Sequence, residues 1–133
     1  MSELIDKTTA QTITGAKTFT AAFGYGTGAG GTVTQVTSKS TGVTLNKLAG
    51  QITMHNGSLG AGAEATFAVT NSTVAANDVV IVNHSSSGTA GAYVVGVSAV
   101  SSGSFKITVS NLSGSSLGEA IVLSFAVIKS ANA

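Results

Sequence analysis

The stretch Ser104-Phe-Lys-Ile-Thr-Val-Ser-Asn111 changes chemistry with a period of two. Phe105, Ile107 and Val109 fall on one face, and Lys106, Thr108 and Ser110 on the other. This is the pattern of a β-strand with one buried and one wet side, whereas a helix repeats its apolar positions at three and four residues. Outward from this stretch the same texture recurs. Strands are expected near 32–38, 43–46, 50–55, 64–71, 78–84, 92–100, 104–111 and 119–129. Between them lie "HNGSLGAGAE", "TNSTVAAND", "HSSSGTAGA", "SSGS" and "NLSGSSLGE", all rich in the residues that make turns. The fold expected is all-β, an antiparallel β-sandwich or jelly roll of about eight strands. It occupies residues 32–133, behind an extended N-terminal arm and glycine-rich hinge at 1–31.

The closing strand departs from simple alternation. In "EAIVLSFAVIK" Ile121, Leu123, Phe125 and Val127 form one face, yet Val122, Ala126 and Ile128 make the other face apolar too, and "VVIVNH" at 79–84 is apolar on both sides. Burying a large aliphatic side chain contributes about 1.5–3 kcal/mol, so a lone body of this size is not expected to leave such faces in water. Val122, Ala126 and Ile128 are therefore expected to line a contact between subunits. The alternative is that these are central strands covered by loops.

Composition narrows the class. The 133 residues make one domain, with no cysteine, tryptophan, proline or arginine and with 17 glycines. Disulfides and cysteine metal sites are excluded, so stability must come from packing, hydrogen bonds or assembly. Charged residues are 8% of the chain and the net charge is +1, which gives no basic face for nucleic acid. No apolar run is long enough to span a membrane, and "MSELIDKTTAQTITG" lacks the apolar core of a secretory signal. The protein is thus expected to be made in a cytoplasm, without nucleic acid, membrane or cofactor as partner.

Gly26-Thr27-Gly28-Ala29-Gly30-Gly31 fits the G-x-G-x-x-G dinucleotide pattern, but that pattern works only where a helix comes next to receive the phosphate. The residues after it here are "TVTQVTSKSTGVTLN", dense in β-branched side chains. Gly24, Gly26, Gly28, Gly30 and Gly31 read instead as a joint between arm and body. The arm carries isolated apolar anchors, Leu4, Ile5, Ile13, Phe19 and Phe23, too few to build a core of their own and suited to docking elsewhere.

Residues suited to chemistry are few. His55 and His84 could begin a zinc site with Asp78 or Glu64 as a third ligand, but nothing in their spacing makes them converge, and turn hydrogen bonds are the expected roles. Asp78, His84 and Ser85, Ser86 or Ser87 name a catalytic triad only by coincidence in a serine-rich chain, since no G-x-S-x-G turn is present. The carboxylates Glu3, Asp6, Glu64, Asp78 and Glu119 are widely separated, so no acid–base pair is marked. Asn56, Asn71, Asn83 and Asn111 open N-x-[ST] triplets and are read as turn residues. No enzyme activity is expected.

"AQTITGAKTFTAAF" resembles an element of tail-fibre and other fibrous virion proteins of tailed bacteriophages. "GGTVTQVTSKSTGVTLNKLAGQITM" with "EAIVLSFAVIK" is similar to segments of small phage structural proteins. The resemblance implies a trimeric, β-rich virion component that acts by binding, and it brings no catalytic residues with it. As a short unit with its own initiator methionine, the chain is expected to be a capsid decoration, or cement, protein on the virion surface. It would be a homotrimer whose arm grips the major capsid protein and whose glycines set the angle of the arm. The alternative is a tail-fibre or receptor-binding tip, joined to a fibre or baseplate, whose turns after His55 and His84 meet a host-surface glycan. Sugars stack on aromatic rings, and Tyr25 and Tyr93 are the only tyrosines.

Overall fold

The computed structural model describes residue 12 and residues 14–131. Among them no helix forms. Eight strands succeed one another: β1 (Thr32–Thr34), β2 (Val43–Thr44), β3 (Ala49–Thr53), β4 (Glu64–Thr70), β5 (Val79–Ser86), β6 (Tyr93–Ser101), β7 (Ser104–Asn111) and β8 (Val122–Ile128). They build two four-stranded sheets, the first in the order β1-β3-β8-β5 and the second β2-β4-β7-β6.

Both sheets are mixed, which corrects the expected purely antiparallel arrangement. β1 pairs with β3 in parallel, Thr32 opposite Gln51, and β2 pairs with β4 in parallel, Val43 opposite Val69. The cause lies in the path of the chain. From β1 to β6 each strand lies in the opposite sheet from the one before, so two strands of one sheet are separated by two reversals and run the same way. β1 and β2 sit beside β3 and β4 at the edges and therefore pair in parallel. The other pairings are antiparallel: β3 and β5 flank β8, and β4 and β6 flank β7. The one tight hairpin joins β6 to β7 through Ser102-Gly103, where Gly103 takes a φ of 79°, a left-handed conformation that suits glycine.

The expected alternation decides which side chains enter the core. Ala65, Phe67 and Val69 of β4, Phe105, Ile107 and Val109 of β7, and Leu123, Phe125 and Val127 of β8 are all buried. They form a single cluster fed by both sheets. Phe105 and Phe125 join the sheets directly, with ring centroids 5.2 Å apart at 57°. β5 and β6 come together along one edge of this core.

The first two strands are shorter than sequence periodicity suggests, and for β1 Gln35 shows why. Its buried side chain donates to the carbonyls of Lys39 (3.0 Å) and Thr41 (2.8 Å) and accepts from the His55 N–H (3.1 Å). The chain after Thr34 is wound around this amide instead of continuing the ladder, which leaves Val36 in solvent. Two buried asparagines organise other loops. Asn71 donates to the Lys47 carbonyl (2.7 Å), and Asn111 donates to those of Leu59, Gly60 and Ser115. In each case the side-chain oxygen accepts from the N–H and hydroxyl two residues on, Thr73 and Ser113. These are Asx turns in which a side chain replaces missing backbone partners.

Candidate docking surface

The outward faces of the two sheets differ, the second being mostly polar apart from Val94, which is 54% exposed. On the second sheet, Thr66 and Thr108 share a hydrogen bond of 2.8 Å, Thr108 donates to Ser98 (3.0 Å), and Ser110 donates to Glu64 (2.8 Å). These hydroxyls satisfy one another and Glu64. On the first sheet the register sets Val79 opposite Ile128 and Ile81 opposite Ala126. Their alternation with the buried Val80 and Val127 sends them all outward. Val79 and Ile81 are each 52% exposed and Ile128 is 49% exposed. Ala49 of β3 lies opposite Ala126 and extends this apolar ground, which gives way to Gln51 and Ser124 further along.

The N-terminal segment crosses this ground. The Tyr25 hydroxyl donates to the Val127 carbonyl, pinning the segment to β8. Phe23, Gly24 and Tyr25 on one side and Ala126, Ile128 and Lys129 on the other enclose a groove of about 450 Å³. Phe23 and Phe19 stack with centroids 5.6 Å apart, yet they stay 84% and 70% exposed. At the rim, Lys129 pairs with Asp78. The Ala75 N–H, the Lys129 ammonium and the Ser130 N–H hold the Asp78 carboxyl below the usual aspartate range against its desolvation.

The residues expected at a subunit contact all belong to β8 and point outward, with Val122 and Ala126 half-buried and Ile128 exposed. Ala126 and Ile128 lie in the groove, and Val122 lies at the far end of the strand opposite Thr53 and Ser86. Of the arm anchors, Phe19 and Phe23 are brought together, while Leu4, Ile5 and Ile13 lie outside the described residues. Among the glycines, Gly24 and Gly26 have open space where a Cβ would stand, and Gly28 takes a φ of 93°. Gly30 and Gly31 run beside β3, with the Gln51 N–H donating to the Gly31 carbonyl (2.9 Å) and a Cβ on Gly31 falling 2.9 Å from Leu45 Cδ1. Sequence reading missed Tyr25 as an anchor. Its only local signal is an aromatic residue alone among glycines.

The candidate chemical groups are held in structural bonds. His55 Nδ1 accepts the Gly57 N–H at 2.9 Å, and His84 Nε2 lies 2.7 Å from the Ser87 carbonyl, a contact that requires a proton on that nitrogen. Asp78 bonds Lys129, Ala75 and Ser130 and makes no hydrogen bond to His84. The described residues contain no group of three His, Asp or Glu side chains placed to hold a metal. Around His84, the segment from Ser85 to Gly91 forms a shallow depression of about 340 Å³. Beside it Glu119 accepts from the Thr89 N–H (2.9 Å), the Thr89 hydroxyl (2.8 Å) and the Tyr93 hydroxyl (2.8 Å). These bonds, that from the Thr89 N–H foremost, hold the Glu119 carboxyl below its usual range. Burial, reinforced by Glu119, pushes the Tyr93 phenol up to about 12. Lys39 is buried with its ammonium on the carbonyls of His55 (2.8 Å) and Glu119 (2.5 Å), and desolvation lowers it while Glu119 pulls the other way.

Comparison with known protein families, characterised proteins and solved structures finds no match to this chain.

Proposed function

We propose that the chain is a virion structural protein of a tailed bacteriophage: a capsid decoration protein that assembles as a homotrimer and binds the lattice of the major capsid protein. In this reading the body is a β-sandwich. Copies meet through the apolar outward face of the first sheet, and the segment before Gly24 reaches the capsid. The observation that supports the reading is the pairing of that face with the arm. Val79, Ile81 and Ile128 stand half exposed on this face, and Ile128 shares a groove with Phe23, which stacks on Phe19 in a segment tethered by Tyr25. Apolar ground of this kind rimmed by polar residues suits a protein–protein contact. The resemblance of "AQTITGAKTFTAAF" to phage fibre proteins supplies the setting. Tyr93, one of the two tyrosines on which a host glycan would stack, is buried, which favours decoration over the receptor-binding alternative.

The test is quantitative mass spectrometry of purified virions. A copy number comparable with that of the major capsid protein is expected, and a few copies per particle would overturn the reading in favour of a tail location. Ile81→Lys and Ile128→Lys should each convert the trimer to monomer in sedimentation with an unchanged β spectrum. Removing residues 1–23 should abolish capsid attachment and leave the trimer intact.

A further inference from the structure

Asn56-Gly57 is the single Asn-Gly pair in the sequence. It lies just beyond β3, and its surroundings differ from those of the loop asparagines 46, 71 and 111. Asn71 and Asn111 are buried with both amide heteroatoms hydrogen-bonded, and Asn46 accepts the Ser72 N–H at 2.8 Å. Asn56 is exposed, and its side chain makes no hydrogen bond to a described residue. The next backbone N–H, that of Gly57, donates to a side chain instead of a carbonyl, reaching His55 Nδ1 at 2.9 Å. The histidine is clamped for this contact, because its own N–H donates to Gln35 (3.1 Å) and its carbonyl accepts from Lys39 (2.8 Å). Glycine leaves room for the ring, since a Cβ at position 57 would stand 3.0 Å from His55 Nδ1 and the ring would have to shift.

We propose that His55-Asn56-Gly57 is a self-modifying site at which the chain deamidates its own asparagine. The Gly57 nitrogen attacks Asn56 Cγ while its proton passes to the lone pair of His55 Nδ1, the atom it already faces. A carbon–nitrogen bond forms between Cγ and the Gly57 nitrogen. The bond from Cγ to the side-chain nitrogen then breaks, and that nitrogen leaves as ammonia with the proton returned by the imidazolium. The cyclic imide left behind is opened by water at either carbonyl, to aspartate or isoaspartate at position 56. One water is consumed and one ammonia released, and no electrons are exchanged. His55 is the catalytic residue, touching the reacting nitrogen, and it is regenerated neutral. The product carries a new carboxylate, which takes the formal net charge of the chain from +1 to neutral.

The test incubates the purified full chain in neutral buffer and tracks the peptide containing residue 56 by mass spectrometry, with released ammonia assayed in parallel. Positioned general bases contribute roughly 100-fold or more, so His55→Ala should slow conversion at least tenfold while matching the wild type in unfolding midpoint. A folded His55→Ala chain that converts at the wild-type rate overturns the proposal. Should that variant fail to fold, the wild type is compared with itself in urea, where the contact between Gly57 and His55 is lost. Faster conversion in the folded chain sustains the proposal, and conversion no faster than in urea overturns it.

Discussion

Asn111→Ala should be among the most damaging single substitutions in the chain although it removes no hydrophobic group. The Asn111 side chain is fully buried. Its two amide hydrogens serve carbonyls at 2.9 Å (Leu59), 3.0 Å (Gly60) and 2.8 Å (Ser115), while its oxygen accepts from the Ser113 N–H (3.0 Å) and hydroxyl (2.7 Å). The five contacts share two amide hydrogens among three carbonyls, so they amount to about four full bonds at about 1 kcal/mol each, or about 4 kcal/mol. Ser113 and Ser115 lie near solvent, where water replaces part of what is lost, so the expected cost is about 3 kcal/mol. That is a large share of the roughly 5–15 kcal/mol of a small domain, and it should lower the melting temperature by roughly 10–15 °C. The assay is urea unfolding monitored by circular dichroism at fixed protein concentration, read as a shift in midpoint at constant slope. Asn71→Ala, which removes three such bonds, should cost less, about 2 kcal/mol. Asn83→Ala, whose one bond is 3.4 Å long and exposed, should stay within about 0.5 kcal/mol. A loss at Asn111 of less than about 1 kcal/mol would refute the claim that these amides hold the loops.

The packing and the ionisable groups set three further outcomes. Gly50→Ala places a Cβ 2.6 Å from Leu45 Cδ2, 2.9 Å from the Gly31 carbonyl and 3.0 Å from Phe125 Cε1, so chemical denaturation should show a loss of about 1–3 kcal/mol. Asp78 and Glu119 both sit below their ordinary values of 3.8 and 4.5. The unfolded chain therefore takes up protons first as pH falls, and stability should hold above those values and drop as pH passes through the depressed folded ones; Asp78→Asn should flatten the urea midpoint against pH in that window. Tyr93 runs the other way, from an ordinary value of 10.0 to about 12. Its stabilisation is present below pH 10 and lost as pH rises toward 12, a decline that Tyr93→Phe should remove together with the phenolate absorbance that grows in near pH 12.

Much of the fold was legible because period-two alternation is a local property. Phe105, Ile107 and Val109 on one side of Lys106 and Thr108 announce both strand and buried face. Pairing direction was not legible, because it depends on how many times the chain changes sheet, and no residue in Thr32–Thr34 or Val43–Thr44 encodes that count. Strand ends were missed where one side chain outweighs propensity. "TVTQVTS" reads as a continuous strand until Gln35 is seen turning its amide onto Lys39 and Thr41. On the surface, the surplus apolar residues of β8 were readable as a second face. That Val79 and Ile81 would stand beside Ala126 and Ile128 required the register of β5 on β8, a long-range fact with no trace in local composition. The Tyr25 tether is of the same kind, spanning 102 residues of sequence.

The asymmetry between the two sheets bears on how this body meets others. The hydroxyls of Thr66, Thr108, Ser98 and Ser110 bond one another and Glu64, so a partner covering that face would have to displace satisfied, hydrated groups and replace each bond. The face of Val79, Ile81, Ala126 and Ile128 makes no such demand, and covering the remaining exposed half of each Val or Ile would return about 0.7–1.5 kcal/mol. Association through the first sheet is thus favoured without any specific polar match, and specificity must come from its border. There the Lys129–Asp78 pair and Gln51 flank the apolar ground on different sides. A partner surface that leaves Asp78 paired is tolerated, whereas one that draws Lys129 away exposes a desolvated carboxylate. In the proposed assembly the apolar face would supply affinity, and the ion pair beside it would constrain the register in which that affinity is realised.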